Sequence, residues 1–357
     1  MPMKNGNIDD EKLAGFASRV LQKMGISKED SLITAQKLVQ TDLRGIESHG
    51  VAHLGPFYVR RIRAGLINPK PNIKIISQTP TTAVIDGDRG LGFVVGHKAM
   101  LEAMNKAATT GVGFVSVRHS THCGAGSVYS LMALSRNMIG ISMTTGGVGI
   151  EVPGSRGGGA ALNVISIAAP ADEEPPFVLD MAASVVAAGK IEIALREGKA
   201  IPAGWAVDGK GNSITDPRKY YTDKGAVLPL GGSTLLGSYK GFGLSVAIEI
   251  LCSLLSGALS IPQIVGRPDY EGSANHFFGA LRIESFTPVA EFKKNMDEMV
   301  RTYRSLPKAP GVERITLAGE PECNLERERL KNGIHFHPSV IASLQKLSQE
   351  LNIEYDL

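Results

Sequence analysis

The chain has 357 residues, 43% hydrophobic and 20% charged, enough apolar material for a soluble globular protein of two or three lobes. Its 38 basic and 35 acidic residues leave a net charge of +3, with no basic block beyond pairs such as Arg60-Arg61 and Lys293-Lys294, which argues against nucleic acid. Three widely spaced cysteines, Cys123, Cys252 and Cys323, give neither a disulfide framework nor a Cys-x-x-Cys metal site and point to a reducing cytosol.

The N-terminal dozen residues lack the apolar core of a secretion signal. Two helices are expected over 8–23 and 28–41, the first capped by Asp9 or Asp10 and the second by Ser27. They lead into Thr41–Tyr58, where Ser48, His49 and His53 fall within six residues among glycines. Histidine exchanges protons at neutral pH, so this bend is a candidate for chemistry; a capping serine beside a solvent-facing histidine is the bland alternative. A short helix ending at Gly65, two strands (I-K-I-I-S and T-A-V-I-D-G) and a helix from about 95 to 110 follow.

The run G-V-G-F-V-S-V from Gly111 reads as a buried strand that delivers R-H-S-T-H-C-G-A-G-S at its C-terminal end, ahead of a helix over Val128–Arg136. Loops in that position are where α/β proteins hold ligands, which favours His119 and His122. The glycines there do not make a Rossmann fingerprint, because Tyr129 stands in the third position and no acid follows about 20 residues on. Strands over 139–145 and 163–170 flank a glycine-rich link (146–159), and a third strand ends at Asp180, before a helix expected from Ser184. A turn-rich segment carries Trp205, the only tryptophan. A second glycine-rich loop then leads into an apolar helix over 243–257. With Glu249 near its middle, that helix is expected to be buried rather than to span a membrane. Lys240 lies where this helix begins, an arrangement that would suit an anionic ligand. A strand near 276–283, a charged helix at 289–304 and a helix from Pro338 close the chain.

Five motifs in order resemble the type 2 malate/L-lactate dehydrogenase family, which also includes sulfolactate, ureidoglycolate and diketogulonate dehydrogenases and cyclic-imine reductases. They are D-L-R-G-I-E-S-H-G-V (42–51), S-T-H-C-G-A-G (120–126), V-L-D-M-A-A-S (178–184), P-L-G-G…K-G-F-G-L (229–244) and L-A-G-E-P-E…N-G-I (317–334). The resemblance implies an α/β, non-Rossmann sulfolactate/malate dehydrogenase-like fold. A central NAD(P)-binding lobe (81–300) would be inserted in a helical substrate and dimer lobe formed by residues 1–80 with 301–357. It implies a homodimeric, cytoplasmic NAD(P)-dependent 2-hydroxy acid dehydrogenase that takes NAD or NADP and a small 2-oxo or 2-hydroxy acid, with neither a membrane nor a metal.

By the same resemblance, His49 would donate the proton to a carbonyl oxygen, and His122 matches a histidine with that role in the ureidoglycolate branch. Ser48, His53 and Arg44 would contact the substrate. Phe177, Val178, Leu179, Asp180, Met181 and Ala182, with Tyr239, Lys240, Gly319, Glu320 and Pro321, would hold the cofactor. Three positions depart from the family. His53 stands where many members carry an arginine, so Arg44 or Arg156 becomes the candidate carboxylate grip. Cys123 replaces an aromatic residue, with an expected change of pocket shape, and the G-T-N-P turn keeps only Asn163. Within the enzyme class, a reductase of cyclic imine carboxylates is the alternative. Outside it stand a zinc hydrolase using His49, His53, His119 and His122, and a binding protein without activity.

Overall fold

The computed structural model describes residues 7–357; residues 1–6, part of the stretch read above for a secretion signal, lie outside the described residues. Asp9 caps α1 (Asp10–Lys23) by accepting from the Lys12 N–H, and Ser27 caps α2 (Lys28–Leu43) by accepting from the Asp30 N–H. Each such cap stabilises its helix by about 1 kcal/mol. Leu13, Phe16, Val20 and Leu21 bury one stripe of α1 in a core with Leu38, Val51, Leu54 and Tyr58. Phe336, Leu344 and Leu347, from near the other end of the chain, complete it. The two ends are also laced by hydrogen bonds of 2.9 and 2.8 Å between the backbones of Ile8 and Ile334.

Strands follow as β1 (Lys74–Gln78), β2 (Thr82–Asp86), β3 (Val112–Thr121), β4 (Met138–Thr144), β5 (Val148–Glu151) and β6 (Gly158–Ala161). The remainder are β7 (Val164–Ala169), β8 (Phe177–Ala182), β9 (Ala206–Val207), β10 (Ser213–Ile214), β11 (Ala226–Val227) and β12 (Ser273–Arg282). The described residues form a seven-stranded sheet ordered β1-β2-β3-β12-β4-β7-β8 and a five-stranded sheet ordered β10-β9-β11-β5-β6. In the larger sheet only β2 and β3 run parallel, joined across α3 (Gly92–Thr110). This is a mixed sheet, not the parallel doubly wound one of dinucleotide-binding proteins. One face of it packs Val115, Val117 and Phe278 against Ala99, Met100 and Ala103 of α3.

Several expected elements shift. The helix expected over Val128–Arg136 is one α-turn, Ser127–Ser130, tightening into a 3-10 turn that ends at Asn137 with φ +52°. The helix expected from Ser184 begins four residues later, as α4 (Ala188–Arg196); Ser184 instead donates its hydroxyl to the Val186 carbonyl at 2.8 Å. The glycine-rich link contains β5 and the start of β6.

The apolar helix departs most. It starts at Ser238, as α5 (Ser238–Cys252), and continues as a 3-10 turn to Ser256. Gly241, Ser245, Ile248, Glu249 and Cys252 face inward, whereas Val246 (39% exposed), Ile250 (48%) and Leu254 (52%) face out. A helix apolar all round carries no stripe from which to read its buried side. Its one acid is a structural tie: Glu249 accepts from the Ile261 N–H and the Ser253 hydroxyl at 2.7 Å, and from the Asn163 amide at 3.3 Å. The longer helices that remain are α6 (Val289–Ser305), α7 (Glu320–Asn332) and α8 (Pro338–Leu351).

Candidate active site

The bend after α2 is held from below by a buried carboxylate. Asp42 Oδ2 accepts from the Val51 N–H at 2.8 Å, pinning the last turn of α2 to two short 3-10 turns, Glu47–His49 and Val51–His53. Gly50 crosses that carboxylate so closely that a Cβ there would lie 1.8 Å from Asp42 Oδ1. Burial pushes the Asp42 carboxyl up to about 8, because desolvation disfavours the ionised form. Arg329 reaches over the same bend, donating to the Asp42 carbonyl and pairing with Glu47 at 2.7 Å.

This frame aligns three imidazoles. The His49 ring lies 6.2 Å from that of His53 and 5.5 Å from that of His122, with planes inclined by 22° and 26°. His122 arrives from the loop after β3, and Phe57 sets its ring edgewise to both outer histidines. Ser48 Oγ is 2.9 Å from His49 Nδ1, and Tyr58 Oη is 2.7 Å from His122 Nδ1. The Gly124 N–H also points at His122 Nδ1, at 3.4 Å. A backbone N–H only donates, so that nitrogen is the bare one; Tyr58 donates to it, and Nε2 carries the proton. Burial, with His53 as a second cause, pulls the His49 pKa down to about 4. Burial, with the neighbouring cations and imidazoles, holds His122 well below 6.5. Both rings are therefore neutral at pH 7.

Two hollows meet at this pair. His49 lines a groove of about 450 Å³ with Ser48, the 124–127 loop, Val178–Ala182 of β8 and Thr316–Gly319. His122 lines a cavity of about 660 Å³ with Phe57, Arg61, Gly146, Arg267 and Glu271. In the groove, Asp180 Oδ2 accepts from the Ser127 N–H at 2.8 Å; burial raises its carboxyl against the pull of that N–H. Ser127 Oγ and Glu322 Oε2 are buried there without a hydrogen-bond partner. Gly319, at φ +88°, presses on β8 so tightly that a Cβ would come within 2.6 Å of Val178. A groove with glycines in its wall, an acid and orphaned polar atoms fits a dinucleotide held by backbone and carboxylate.

The expected site residues divide. Ser48, His49, Arg44, Val178, Leu179, Asp180, Met181, Ala182, Gly319 and Pro321 come together around the groove. Phe177 does not line it, and Glu320 is buried elsewhere in ion pairs with Arg304 and Arg314. Tyr239 and Lys240 are exposed in the first turn of α5 and line neither hollow.

His53 faces a third hollow, beside Glu192 and Arg196. His119 turns outward to Asp86, 3.0 Å away. Arg44 is neutralised by Glu326 at 2.6 Å, and Arg156 is exposed on the β5–β6 loop, so neither enters the His122 cavity. The Cys123 thiol lies in the sheet core rather than reshaping a pocket. Asn163 keeps a turn role, accepting from the Gly146 N–H at 3.2 Å. Among the described residues no cluster of metal-ligating side chains converges.

Sequence reasoning passed over Tyr58, Phe57 and Arg61. The only trace of Arg61 was a basic pair, and nothing local marks which arginine turns inward.

The family model for malate/L-lactate dehydrogenase matches residues 8–345. The chain is 42% identical to the malate dehydrogenase of Pyrococcus abyssi over 348 residues, 97% of this chain and 95% of that protein. The crystal structure of malate dehydrogenase from Entamoeba histolytica superposes with a TM-score of 0.92 at 35% identity, covering 98% of this chain and 99% of that one. The sulfolactate dehydrogenase structure from Methanocaldococcus jannaschii gives 0.86 at 37% identity, covering 98% of each. With that match over nearly its full length, on a mixed two-sheet fold, the chain belongs to the malate/L-lactate dehydrogenase family, oxidoreductases that act on hydroxy acids.

Proposed function

We propose that this protein interconverts a small 2-oxo acid and its 2-hydroxy acid with NADH or NADPH, His49 exchanging the proton and His122 holding the carbonyl oxygen. The observation that carries this reading is the stacked His49–His122 pair where groove and cavity meet. Asp180, Ser127, Glu322 and the Gly319 turn would hold the dinucleotide in the groove. When bound, the nicotinamide supplies the hydride, the step that protein side chains cannot perform.

The chain's own residues then orient and polarise. His122, with Nε2–H fixed by Tyr58, donates a hydrogen bond to the carbonyl oxygen and stabilises the alkoxide as its charge grows. His49 delivers the proton; a positioned acid of this kind contributes about 10²–10⁴-fold. The route of proton return favours His49 over His122. Ser48, on the Nδ1 of His49, lines both the groove and the third hollow, whereas the one side chain on the Nδ1 of His122 is the buried Tyr58, whose hydroxyl burial keeps protonated.

The same reading divides the chain near residues 80 and 300; the first 67 residues and Ile334–Leu347 share one core, which Leu91, Phe93 and Val94 also enter. The reading also includes a homodimer. Leu235 (94% exposed) and Leu236 (73%), just before α5, and Ile250 and Leu254, near its far end, are exposed apolar side chains that a second copy would cover; light scattering at twice the chain mass is the expected result. The function is tested by NADH and NADPH oxidation against pyruvate, oxaloacetate, sulfopyruvate, and pyrroline- and piperideine-2-carboxylate. Oxidation with a 2-oxo acid is expected. Activity confined to the cyclic imines would replace this reading with an imine reductase.

A further inference from the structure

The cavity beside His122 contains a guanidinium with nothing to bind. Arg61 stands where the turn Leu54–Val59 passes into the short helix Arg60–Arg63. Its Cζ lies 4.0 Å from the Phe57 ring centroid, and the same ring is 5.1 Å from the His122 imidazole. Stacking uses the face of a guanidinium and leaves its N–H edge free for a planar, two-oxygen partner.

Two other arginines near the site are satisfied: Arg44 pairs with Glu326, and Arg329 pairs with Glu47. No carboxylate among the described residues lies within ion-pair distance of Arg61, although Glu271, the one acid on the cavity wall, faces it at longer range. Half-burying an unpaired cation costs free energy, so the arrangement makes sense if an anion completes it. Arg267 adds a second positive group at the exposed rim of the same cavity. His53, which stands where many members of the family carry an arginine, opens on a different hollow.

We propose that Arg61 is the residue that grips the carboxylate of the 2-oxo acid, setting the substrate's register against His122 and making the enzyme selective for acids over neutral carbonyl compounds. One aromatic ring separates guanidinium from imidazole. Charge-assisted hydrogen bonds of about 2.7–2.9 Å from Arg61 to the carboxylate leave the adjoining carbonyl on the His122 side. The inference rests on the dehydrogenase reading above.

The test uses the full-length enzyme, Arg61→Gln and Arg61→Lys, each assayed with NADH against the best 2-oxo acid and its methyl ester. NADH affinity is followed by fluorescence and folding by thermal melting. In Arg61→Gln, kcat/KM for the acid should fall about 100-fold, mostly through KM, with unaltered NADH affinity, and the preference for acid over ester should collapse by a similar factor. Arg61→Lys, which keeps charge without the fork, should recover part of the loss. Oxamate, a carboxylate that does not react, should perturb the fluorescence of bound NADH in the wild type and fail to do so in Arg61→Gln. Equal losses on acid and ester, or a KM within threefold of wild type, would overturn the assignment while leaving the dehydrogenase reading intact. A wild-type chain inactive on every acid tested would overturn both.

Discussion

His49 and His122 lie ring against ring, centroids 5.5 Å apart and planes inclined by 26°, one on the groove wall and the other on the cavity wall. Two imidazolium ions would repel at that distance in a partly dry site, so the stack is the arrangement of neutral rings. An anionic substrate arriving beside them opposes the desolvation that keeps them neutral and prepares one of them to carry a proton.

Tyr58 sets the state of His122. Its hydroxyl, 2.7 Å from Nδ1, leaves the proton on Nε2. Tyr58→Phe should lower kcat about tenfold, equivalent to roughly 1.4 kcal/mol in the barrier, and leave NADH affinity unchanged. Steady-state kinetics alongside fluorescence titration would detect it. An unchanged kcat would mean that the tautomer is held by other means.

Acid–base behaviour follows from the depressed imidazoles. With His49 held to about 4 in the free enzyme, its basic form is fully present at neutral pH. For hydroxy-acid oxidation, kcat/KM should be flat from about pH 8 to pH 5. Reduction takes up a proton from solution, so its kcat/KM should climb about tenfold for each unit of pH lowered over that range. A break near the ordinary histidine value in either direction would contradict a buried donor.

Asp42 makes an opposite prediction, about stability. Its folded pKa of about 8 is above its ordinary 3.8, so the folded chain keeps a proton that the unfolded chain sheds. Its stabilising contribution is complete below about pH 3.8 and drains away as pH rises toward 8. Asp42→Asn cannot ionise, so its melting temperature should gain on the wild type by at least about 4 °C between pH 5 and 8. Melting curves that run parallel across that range would refute the buried-acid assignment.

Asp180 is tied to the Ser127 N–H on the groove wall. If it holds the cofactor, Asp180→Ala should weaken NADH binding at least tenfold, in line with about 1.5–3 kcal/mol for a hydrogen bond to a charged group. At saturating NADH, kcat should recover most of its value. Isothermal titration would separate this from a structural loss, in which heat of binding and melting temperature fall together.

Helices and strands were readable where local chemistry decides them. Asp9 and Ser27 cap the helices they were expected to cap, and the alternating run after Gly111 is a strand. Motif order carried the groove, because residues close in sequence, such as Val178–Ala182, arrive together on one strand. The substrate side was less legible. Arg61 stacks on the Phe57 ring, and His53, from the next 3-10 turn after His49, faces a different hollow. Tertiary contacts make both choices, and neither leaves a periodic trace. The outward face of α5 escaped for a related reason: apolar residues on every side of a helix do not say which side meets the core.

The most direct measurement is single-turnover reduction of a 2-oxo acid by His49→Gln, with NADH affinity measured on the same sample. The predicted result is a rate lower by about 10² or more with NADH binding within a factor of two of wild type. A variant that turns over at the wild-type rate, or that loses NADH affinity in step with its rate, would contradict His49 as the group that exchanges the proton.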